Sequence, residues 1–547
     1  MIDEPMSAKQ NSTSSEVITA STLEGVMFSK GTKNAGKQPQ WQPFETDDLS
    51  HAKHVIVIGG GLSGLVAAYT LKQQGIRVTV LESGSRLGGA IQSDQCGEYL
   101  CEAGPNSFPS SSSKELMQLI AELRIRPLAA SPHAKNRYVA LGSTLIPVPM
   151  NPIAFLSSPI LSLPEKIRIL QEISVPKRDG AAPEESVEAF ISRRLGEAVH
   201  RRMVQPFLTG VYAGDTSRLS AKAVLPALVQ WEQDYGSILM GGIKAMLRKM
   251  FPDTSAPNFK KRGARPAFQK RGKSALLNFP DGMHQLISSL AKSLGDTSIV
   301  LNAKVDSMQR MGDPAGVPES WQITLTNGVR YEADAVIMAT PAFKASELLF
   351  TVHPDVAQLL NKVEYAPIQL MYQAFNTSDI QRQRKGFGSL RCWERENPAQ
   401  KAWLGSLWTS SLFPERVPRG TFMLSHFFGG ANHPEVLLWD AARCEQEAYA
   451  QSQWMLQLKQ GARPTFNQLY RWEKAIPQYT IGHVDRMKFT KEALDNAFKG
   501  RLVLTGNYLS GINLNKCVTQ GQASAETVLR SFAEHPIDFP QEHLQTH

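Results

Sequence analysis

Cysteine is scarce in this chain: Cys96, Cys101, Cys392, Cys444 and Cys517 are the whole complement in 547 residues. No two of them form a C-x-x-C pair. This excludes a disulfide-built scaffold, a cysteine zinc site and a dithiol redox motif, and points to a reducing compartment. Long apolar runs are missing too. The most apolar stretch, residues 145–163, is broken by Pro147, Pro149, Pro152 and Pro159, whereas a spanning helix needs about 20 unbroken residues. It reads either as a surface dipping into one leaflet or as a loop packed on its own domain. No apolar core follows a basic start at the N-terminus, which argues against secretion. Asp3, Glu4, Glu16 and Glu24 run against a transit peptide without excluding one.

Excess charge is small and concentrated. The net +9 includes Lys260, Lys261, Arg262, Arg265, Lys270, Arg271 and Lys273 in an acid-free stretch, so the rest of the chain carries only +2. A global nucleic-acid-binding surface is therefore not expected. The basic stretch reads as a solvated, flexible insertion, with contact to an acidic lipid or partner as the sharper alternative. His200, His284, His426 and His483 are scattered without metal or triad spacing, so neither a metal site nor a histidine catalyst is expected.

What is present suffices for several domains: 42% of residues are hydrophobic and 20% charged, the composition of an ordinary globular protein. Residues 1–50 read as a disordered arm. Order begins at His54, where Val55-Ile56-Val57-Ile58 suits a strand buried on both faces. A helix with Leu65, Ala68 and Leu71 on one face follows, then a strand Arg77-Val78-Thr79-Val80-Leu81, completing a βαβ unit. Residues 130–250 read as largely helical, with the periodicity from Val187 to Phe207 stopped by Gly210. Strand signals return at 298–301, 335–338 and 501–504, so the two ends of the chain read as halves of one α/β domain with other material between them.

Between the first strand and its helix, Gly59-Gly60-Gly61-Leu62-Ser63-Gly64 satisfies G-x-G-x-x-G. Gly59 permits the tight turn, Gly61 lets backbone approach a pyrophosphate, and Gly64 lets the helix pack closely on the sheet. The phosphates would rest on the helix N-terminus. Glu82 lies eighteen residues beyond Gly64 at the end of the second strand, where a carboxylate can accept hydrogen bonds from ribose hydroxyls. The run Ser83-Gly84-Ser85-Arg86-Leu87-Gly88-Gly89 adds a basic side chain and a second glycine turn, which favours FAD over NAD.

With Glu102-Ala103-Gly104-Pro105-Asn106-Ser107-Phe108 the sequence comes to resemble the protoporphyrinogen oxidase family. Phe190-Ile191-Ser192-Arg193-Arg194-Leu195-Gly196, Pro206-Phe207-Leu208-Thr209-Gly210-Val211-Tyr212-Ala213-Gly214-Asp215 and Thr505-Gly506-Asn507-Tyr508-Leu509-Ser510-Gly511-Ile512-Asn513-Leu514 extend the likeness from about residue 54 to 530. The resemblance implies an α/β fold (α+β overall): a Rossmann-like discontinuous FAD-binding domain (51–130, 276–345 and 495–535), a mixed-sheet substrate-binding domain (346–494) and an inserted helical domain at the membrane and the substrate cleft (131–255). A basic loop (256–275) and a C-terminal tail (536–547) complete the division.

It also implies FAD contacts at Gly59 to Gly64, Glu82, Ser83, Arg86, Gly104, Pro105, Asn106, Ser107, Val305, Asn507, Ile512, Asn513 and Leu514. Arg137 would bind a substrate propionate, Gly210 would pack near the ring, and Leu390, Leu407 and Phe427 would sandwich the tetrapyrrole. Such a disc, apolar with carboxylates on one rim, needs an apolar slot with a cation at its mouth. The implied reaction is oxidation of protoporphyrinogen IX to protoporphyrin IX, a late step of haem and chlorophyll synthesis. Three hydride transfers to FAD would be followed by reoxidation with molecular oxygen to peroxide, without a side-chain acid or base. A coproporphyrinogen III oxidase of the same fold is the near alternative; an amine oxidase, a carotenoid desaturase and a non-catalytic porphyrin carrier are more distant ones. Expected partners are the porphyrinogen, oxygen, a membrane surface contacted peripherally, and ferrochelatase or a second copy of the chain. The expected location is intracellular, in the cytoplasm at a membrane, with plastid and mitochondrion left open.

Overall fold

The computed structural model describes residues 53–142, 144–180, 182–250, 275–312, 320–392 and 401–535. The N-terminal arm, the basic stretch 260–273 and the C-terminal tail read from the sequence lie outside these residues. Five parallel strands form the first sheet, in the order Ile299–Val300, Arg77–Leu81, His54–Ile58, Ala335–Met338 and Leu502–Leu504. Its central strand is apolar throughout because both faces are covered. Val55 and Val57 pack among the helices Leu62–Lys72, His284–Leu294 and Leu514–Glu534, while Ile56 and Ile58 pack beneath a three-stranded antiparallel sheet and the helix His483–Phe498. The helix Leu62–Lys72 is buried on more than the one face its periodicity suggests, from Leu62 through Ala68 and again at Leu71. Gly521 makes this possible: a Cβ there would lie 2.5 Å from the Ser63 carbonyl oxygen.

The second sheet has seven strands, ordered Phe466–Pro477, Tyr365–Asn376, Thr421–Gly429, Trp403–Leu407, Gly388–Arg391, Arg137–Leu141 and Thr144–Pro147. All pairings are antiparallel except that of Gly388–Arg391 with Arg137–Leu141. Residues 130–250 are largely helical, as their periodicity suggests, but the segment opens with two strands of this sheet. Helix Ala441–Leu456 covers one sheet face through Cys444, Ala448 and Met455. The other face meets the hairpin Ser93–Cys96/Tyr99–Glu102 and a helical layer that includes Val187–Leu195 and Gln205–Tyr212. Gly210 does not stop its helix, as the sequence suggested. The helix runs on to Tyr212 and turns at Ala213, with φ of 48°. Gly210 instead faces the sheet, where a Cβ would meet the end of the Leu390 side chain.

Within the helical layer, Glu172 and Arg194 form a fully buried ion pair. Glu172 also accepts the Ile238 and Leu239 N–H groups at 2.9 and 3.2 Å, and Arg194 donates to the carbonyls of Val175 and Gly236, each at 2.8 Å. Both charges are thus paired and hydrogen-bonded, Arg194 Nε excepted, where burial would otherwise be costly.

Candidate flavin and substrate site

The glycine-rich turn lies at the C-terminal edge of the parallel sheet, where the strand order reverses and ligands of this architecture bind. Gly59 has φ of 109°, and a Cβ on it would sit 2.8 Å from the Ala339 carbonyl oxygen. A Cβ on Gly64 would strike the Gly59 carbonyl and lie 2.8 Å from the Ala339 side chain. Gly61 differs from both: a Cβ there would meet nothing within 4 Å. Gly61 also opens the helix without any side-chain cap, leaving an open cradle in front of a helix N-terminus. Gly60, Leu62, Ser63 and Gly64 are buried behind it.

Glu82 ties the two turns together. Its carboxylate accepts the Gly60 N–H and the Gly84 N–H, each at 2.8 Å, and the Ser83 hydroxyl at 3.3 Å. The Gly88 N–H donates to the Gly60 carbonyl at 2.8 Å, and Arg86 folds onto the second turn, donating to the carbonyls of Leu87 and Gly89 at 3.2 and 2.8 Å. The Ala303 N–H bonds the Glu82 carbonyl at 2.8 Å, bringing the start of the strand Val305–Met311 beside the acidic residue. From the far end of the chain, Asn513 caps the helix Leu514–Glu534 by accepting the Lys516 N–H at 3.0 Å, with Ile512 half-buried just before it. Tyr479 donates its hydroxyl to the Asn507 carbonyl.

Two residues of this cradle, Thr340 and Glu102, are not among the contacts expected from the sequence. Thr340 follows the strand Ala335–Met338 beside Gly59, and its hydroxyl is buried with no hydrogen-bond partner. Glu102 is a buried hub beneath Gly104, Pro105, Asn106 and Ser107, which are all half-buried. Its carboxylate accepts Ser93 Oγ at 2.5 Å, the Met283 N–H at 3.0 Å, Asn278 Nδ2 at 3.1 Å and Arg416 Nη2 at 2.9 Å. Asn278 reaches on to the Asn106 carbonyl at 2.5 Å, and the Tyr372 hydroxyl donates to the Glu102 carbonyl at 2.9 Å. A carboxylate in the run Tyr99-Leu100-Cys101-Glu102-Ala103 was a usable signal; Arg416 offered none.

The substrate-binding candidates converge by sheet register. Phe427 lies opposite Gly405, Leu390 opposite Gly405 and Val139, and Leu407 opposite Gly388, which in turn lies opposite Arg137. Laterally paired residues and residues two apart share a sheet face, so Arg137, Leu390, Leu407 and Phe427 all project from one face of four neighbouring strands. All four are only half-buried. Gly210 abuts Leu390 from the helical layer, and the Arg137 guanidinium stands 5.0 Å from the centre of the Phe387 ring. Among the described residues no carboxylate pairs with Arg137.

On the opposite face, His426 is buried between Ser406 and Ser452, at 2.7 and 2.8 Å, and burial pushes its imidazole pKa down to about 3. His483 is stacked on Tyr479 and bonds the Tyr508 carbonyl at 2.8 Å; His200 bonds Thr216. These histidines are held by structural partners.

The cradle fits a dinucleotide: the space a Gly61 side chain would fill lies before an uncapped helix N-terminus, and the buried hydroxyl of Thr340, whose backbone adjoins Gly59, has no hydrogen-bond partner among the described residues. Comparison with known proteins agrees. Residues 62–529 match the family described as flavin containing amine oxidoreductase. The chloroplastic protoporphyrinogen oxidase of Nicotiana tabacum is 30% identical over 85% of this chain and 83% of its own length. The coproporphyrinogen III oxidase of Bacillus subtilis (strain 168) is 26% identical over 87% of this chain and 98% of its own. Among solved structures, a crystallised protein of Exiguobacterium sp. 255-15 superposes with a TM-score of 0.68 at 21% identity, covering 87% of this chain and 98% of that one. The cyclohexylamine oxidase of Brevibacterium oxydans IH-35A gives 0.61 at 17%, covering 88% and 100%. The cofactor is FAD and the protein an FAD-dependent oxidoreductase. The chain belongs to the flavin containing amine oxidoreductase family, alongside the protoporphyrinogen oxidases.

Proposed function

We propose that the protein oxidises protoporphyrinogen IX to protoporphyrin IX, with molecular oxygen as the final acceptor and peroxide as its product. The single observation carrying this reading is the shared sheet face of Arg137, Leu390, Leu407 and Phe427. Three apolar side chains left half-open, beside a guanidinium with no carboxylate partner among the described residues, suit a flat apolar macrocycle with carboxylates at its rim. FAD, held by the turn at Gly59 to Gly64, by Glu82, Ser83 and Arg86, the run Gly104 to Ser107, Val305, and the Asn507 and Ile512 to Leu514 segment, supplies a two-electron acceptor, so the six-electron change needs three cycles. Arg137 orients the ring through its propionates, Leu390, Leu407 and Phe427 exclude water from its faces, and Gly210 leaves room at its edge. No side chain is assigned as acid or base. Anaerobic protoporphyrinogen should bleach the oxidised flavin of the purified protein and yield fluorescent porphyrin on admission of air. A flavin left unbleached would overturn the oxidase reading and favour a porphyrin carrier.

The reading includes residues 131–255 as the cleft and membrane-associating region. Among the described residues no helix is long and apolar enough to cross a membrane. Met150, Ile153, Leu156, Leu163, Leu170 and Ile173 are nevertheless all more than half exposed, a surface suited to one leaflet. We place the protein peripherally on an intracellular membrane, with an organelle as the compartment, since the Nicotiana relatives are named chloroplastic and mitochondrial. Its apolar product would pass to ferrochelatase, and a second copy of the chain is the other partner proposed. Oxidation of coproporphyrinogen III is the second reading, favoured by the likeness to the coproporphyrinogen III oxidase of Bacillus subtilis.

A further inference from the structure

The run Gly104 to Ser107, proposed to contact the flavin, is half-buried, whereas Glu102 and Ala103 before it and Phe108 after it are buried. The seven-stranded sheet holds its entry. The Tyr372 hydroxyl, on the strand Tyr365–Asn376, accepts the Glu102 N–H at 3.1 Å and donates to the Glu102 carbonyl. Trp472, on the adjacent strand Phe466–Pro477, donates its ring N–H to the Ala103 carbonyl at 2.9 Å. Three further parts of the chain meet at the Glu102 carboxylate. They are the N–H of Met283, which opens the helix His284–Leu294, the Asn278 amide, which also bonds the Asn106 carbonyl, and Arg416, which precedes the sheet strand Thr421–Gly429. The side chains of Glu102 and Arg416 are 0% and 2% exposed. Among the described residues Arg416 has no other carboxylate partner, and its Nε and Nη1 have no hydrogen-bond partner. A buried ion pair typically adds no more stability than well-packed apolar residues would. What this one supplies is a fixed register between the run and the sheet.

We propose that Glu102 and Arg416 are positioning residues for the flavin, locking the run Gly104 to Ser107 to the sheet that carries the substrate slot. The inference rests on the reading of that run as a flavin contact. Both side chains are buried beneath the run, so they act through it rather than by touching the cofactor. Their charges also cancel. Flavin takes up electrons when it is reduced, and charge in a poorly screened interior is felt over many ångströms. A lone cation left beneath the run would ease reduction, and a lone carboxylate would oppose it.

The test strips the full chain of flavin and reloads it with FAD, reading FAD affinity, the visible circular dichroism of the bound flavin, and its reduction potential against reference dyes. Arg416→Met and Glu102→Gln should each weaken FAD binding by about tenfold or more, the first lowering the potential and the second raising it. Arg416→Lys should restore the parent potential. Tyr372→Phe and Trp472→Phe each remove one hydrogen bond without a change of charge. They should fold, bind FAD about three- to tenfold more weakly and alter the visible dichroism while the potential stays at the parent value. If breaking the buried pair prevents folding, these two variants decide the question. A purely structural joint would lower thermal stability and leave FAD affinity, dichroism and potential unchanged; that result, or potential shifts of one sign in Arg416→Met and Glu102→Gln, would overturn the proposal. Failure of the flavin contact itself looks different: Ser107→Trp, which places bulk in the run, would then bind FAD as the parent does. No measurement uses a porphyrinogen, so the outcome is independent of the oxidase reading.

Discussion

Gly59, Gly61 and Gly64 share a motif but differ in what a side chain would meet, and substitution should separate them. Gly61 has φ of −74° and ψ of 173°, a backbone any residue adopts, and open space beyond its Cα. Gly61→Val should therefore fold normally and purify colourless, because the side chain takes the place of the pyrophosphate. A yellow Gly61→Val protein with a normal flavin spectrum would misplace the phosphates. Gly64→Val, by contrast, drives a branched side chain into the Gly59 carbonyl and the Ala339 methyl, and should lower thermal stability before any question of flavin arises. Arg137 carries the third prediction at this scale. It is half-buried and free of carboxylate partners among the described residues, so Arg137→Ala should cost about 1–3 kcal/mol in kcat/KM towards protoporphyrinogen, roughly five- to 150-fold. Because the interaction persists unchanged through the reaction, the loss should fall on KM. Unchanged kinetics would refute its role.

At the scale of elements, strand and helix were legible where a run satisfies its own neighbours, and obscure where partners lie far along the chain. His54–Ile58 declares itself because both faces are apolar and a glycine turn follows. Arg137–Leu141 has one local partner, Thr144–Pro147 across the turn at Gly142, but its other neighbour begins at Gly388, and alternation alone cannot name a partner so remote. The same remoteness hid the Glu102–Arg416 pair, whereas the slot residues came from likeness to a family and were then found on one face by register. The apolar stretch 145–163, expected as one loop or surface, is divided into a strand ending at Pro147 and the helix Pro152–Ser157, and the exposed surface extends past it through the helix Leu163–Leu170. Lys166 braces the two helices, donating to the Leu156 and Ser158 carbonyls at 2.8 Å each. Burying each of Leu156, Leu163 and Leu170 in lipid contributes about 1.5–3 kcal/mol, and this attraction is not screened by salt. The triple change of these leucines to Asp should abolish sedimentation with vesicles while the protein stays yellow. Complete release of the parent protein by high salt would show that charge, not insertion, holds it.

For the molecule as a whole, two buried histidines outside the proposed chemistry set an acid limit on stability. His426 lies between the seven-stranded sheet and its covering helix with its pKa pushed down to about 3, and His483 lies near the Asn507 segment with its pKa at about 4, in both cases chiefly through burial. Unfolded, each would titrate near 6.5. Below that pH the unfolded chain takes up protons that the folded chain refuses, so the stability present at neutral pH is lost as pH falls from about 6.5 towards 4. The slope approaches about 1.4 kcal/mol per pH unit for each histidine. The carboxylates held below their usual range, Glu165, Glu172, Glu185 and Glu435, add to the loss only at lower pH, near and below their ordinary values of about 4.3. Denaturant midpoints measured between pH 7 and 5 should therefore fall in the histidine window, and His426→Gln, though less stable at pH 7, should show a slope shallower by close to one proton. A flat profile in the parent, or an undiminished slope in His426→Gln, would remove buried histidine as the cause of acid lability.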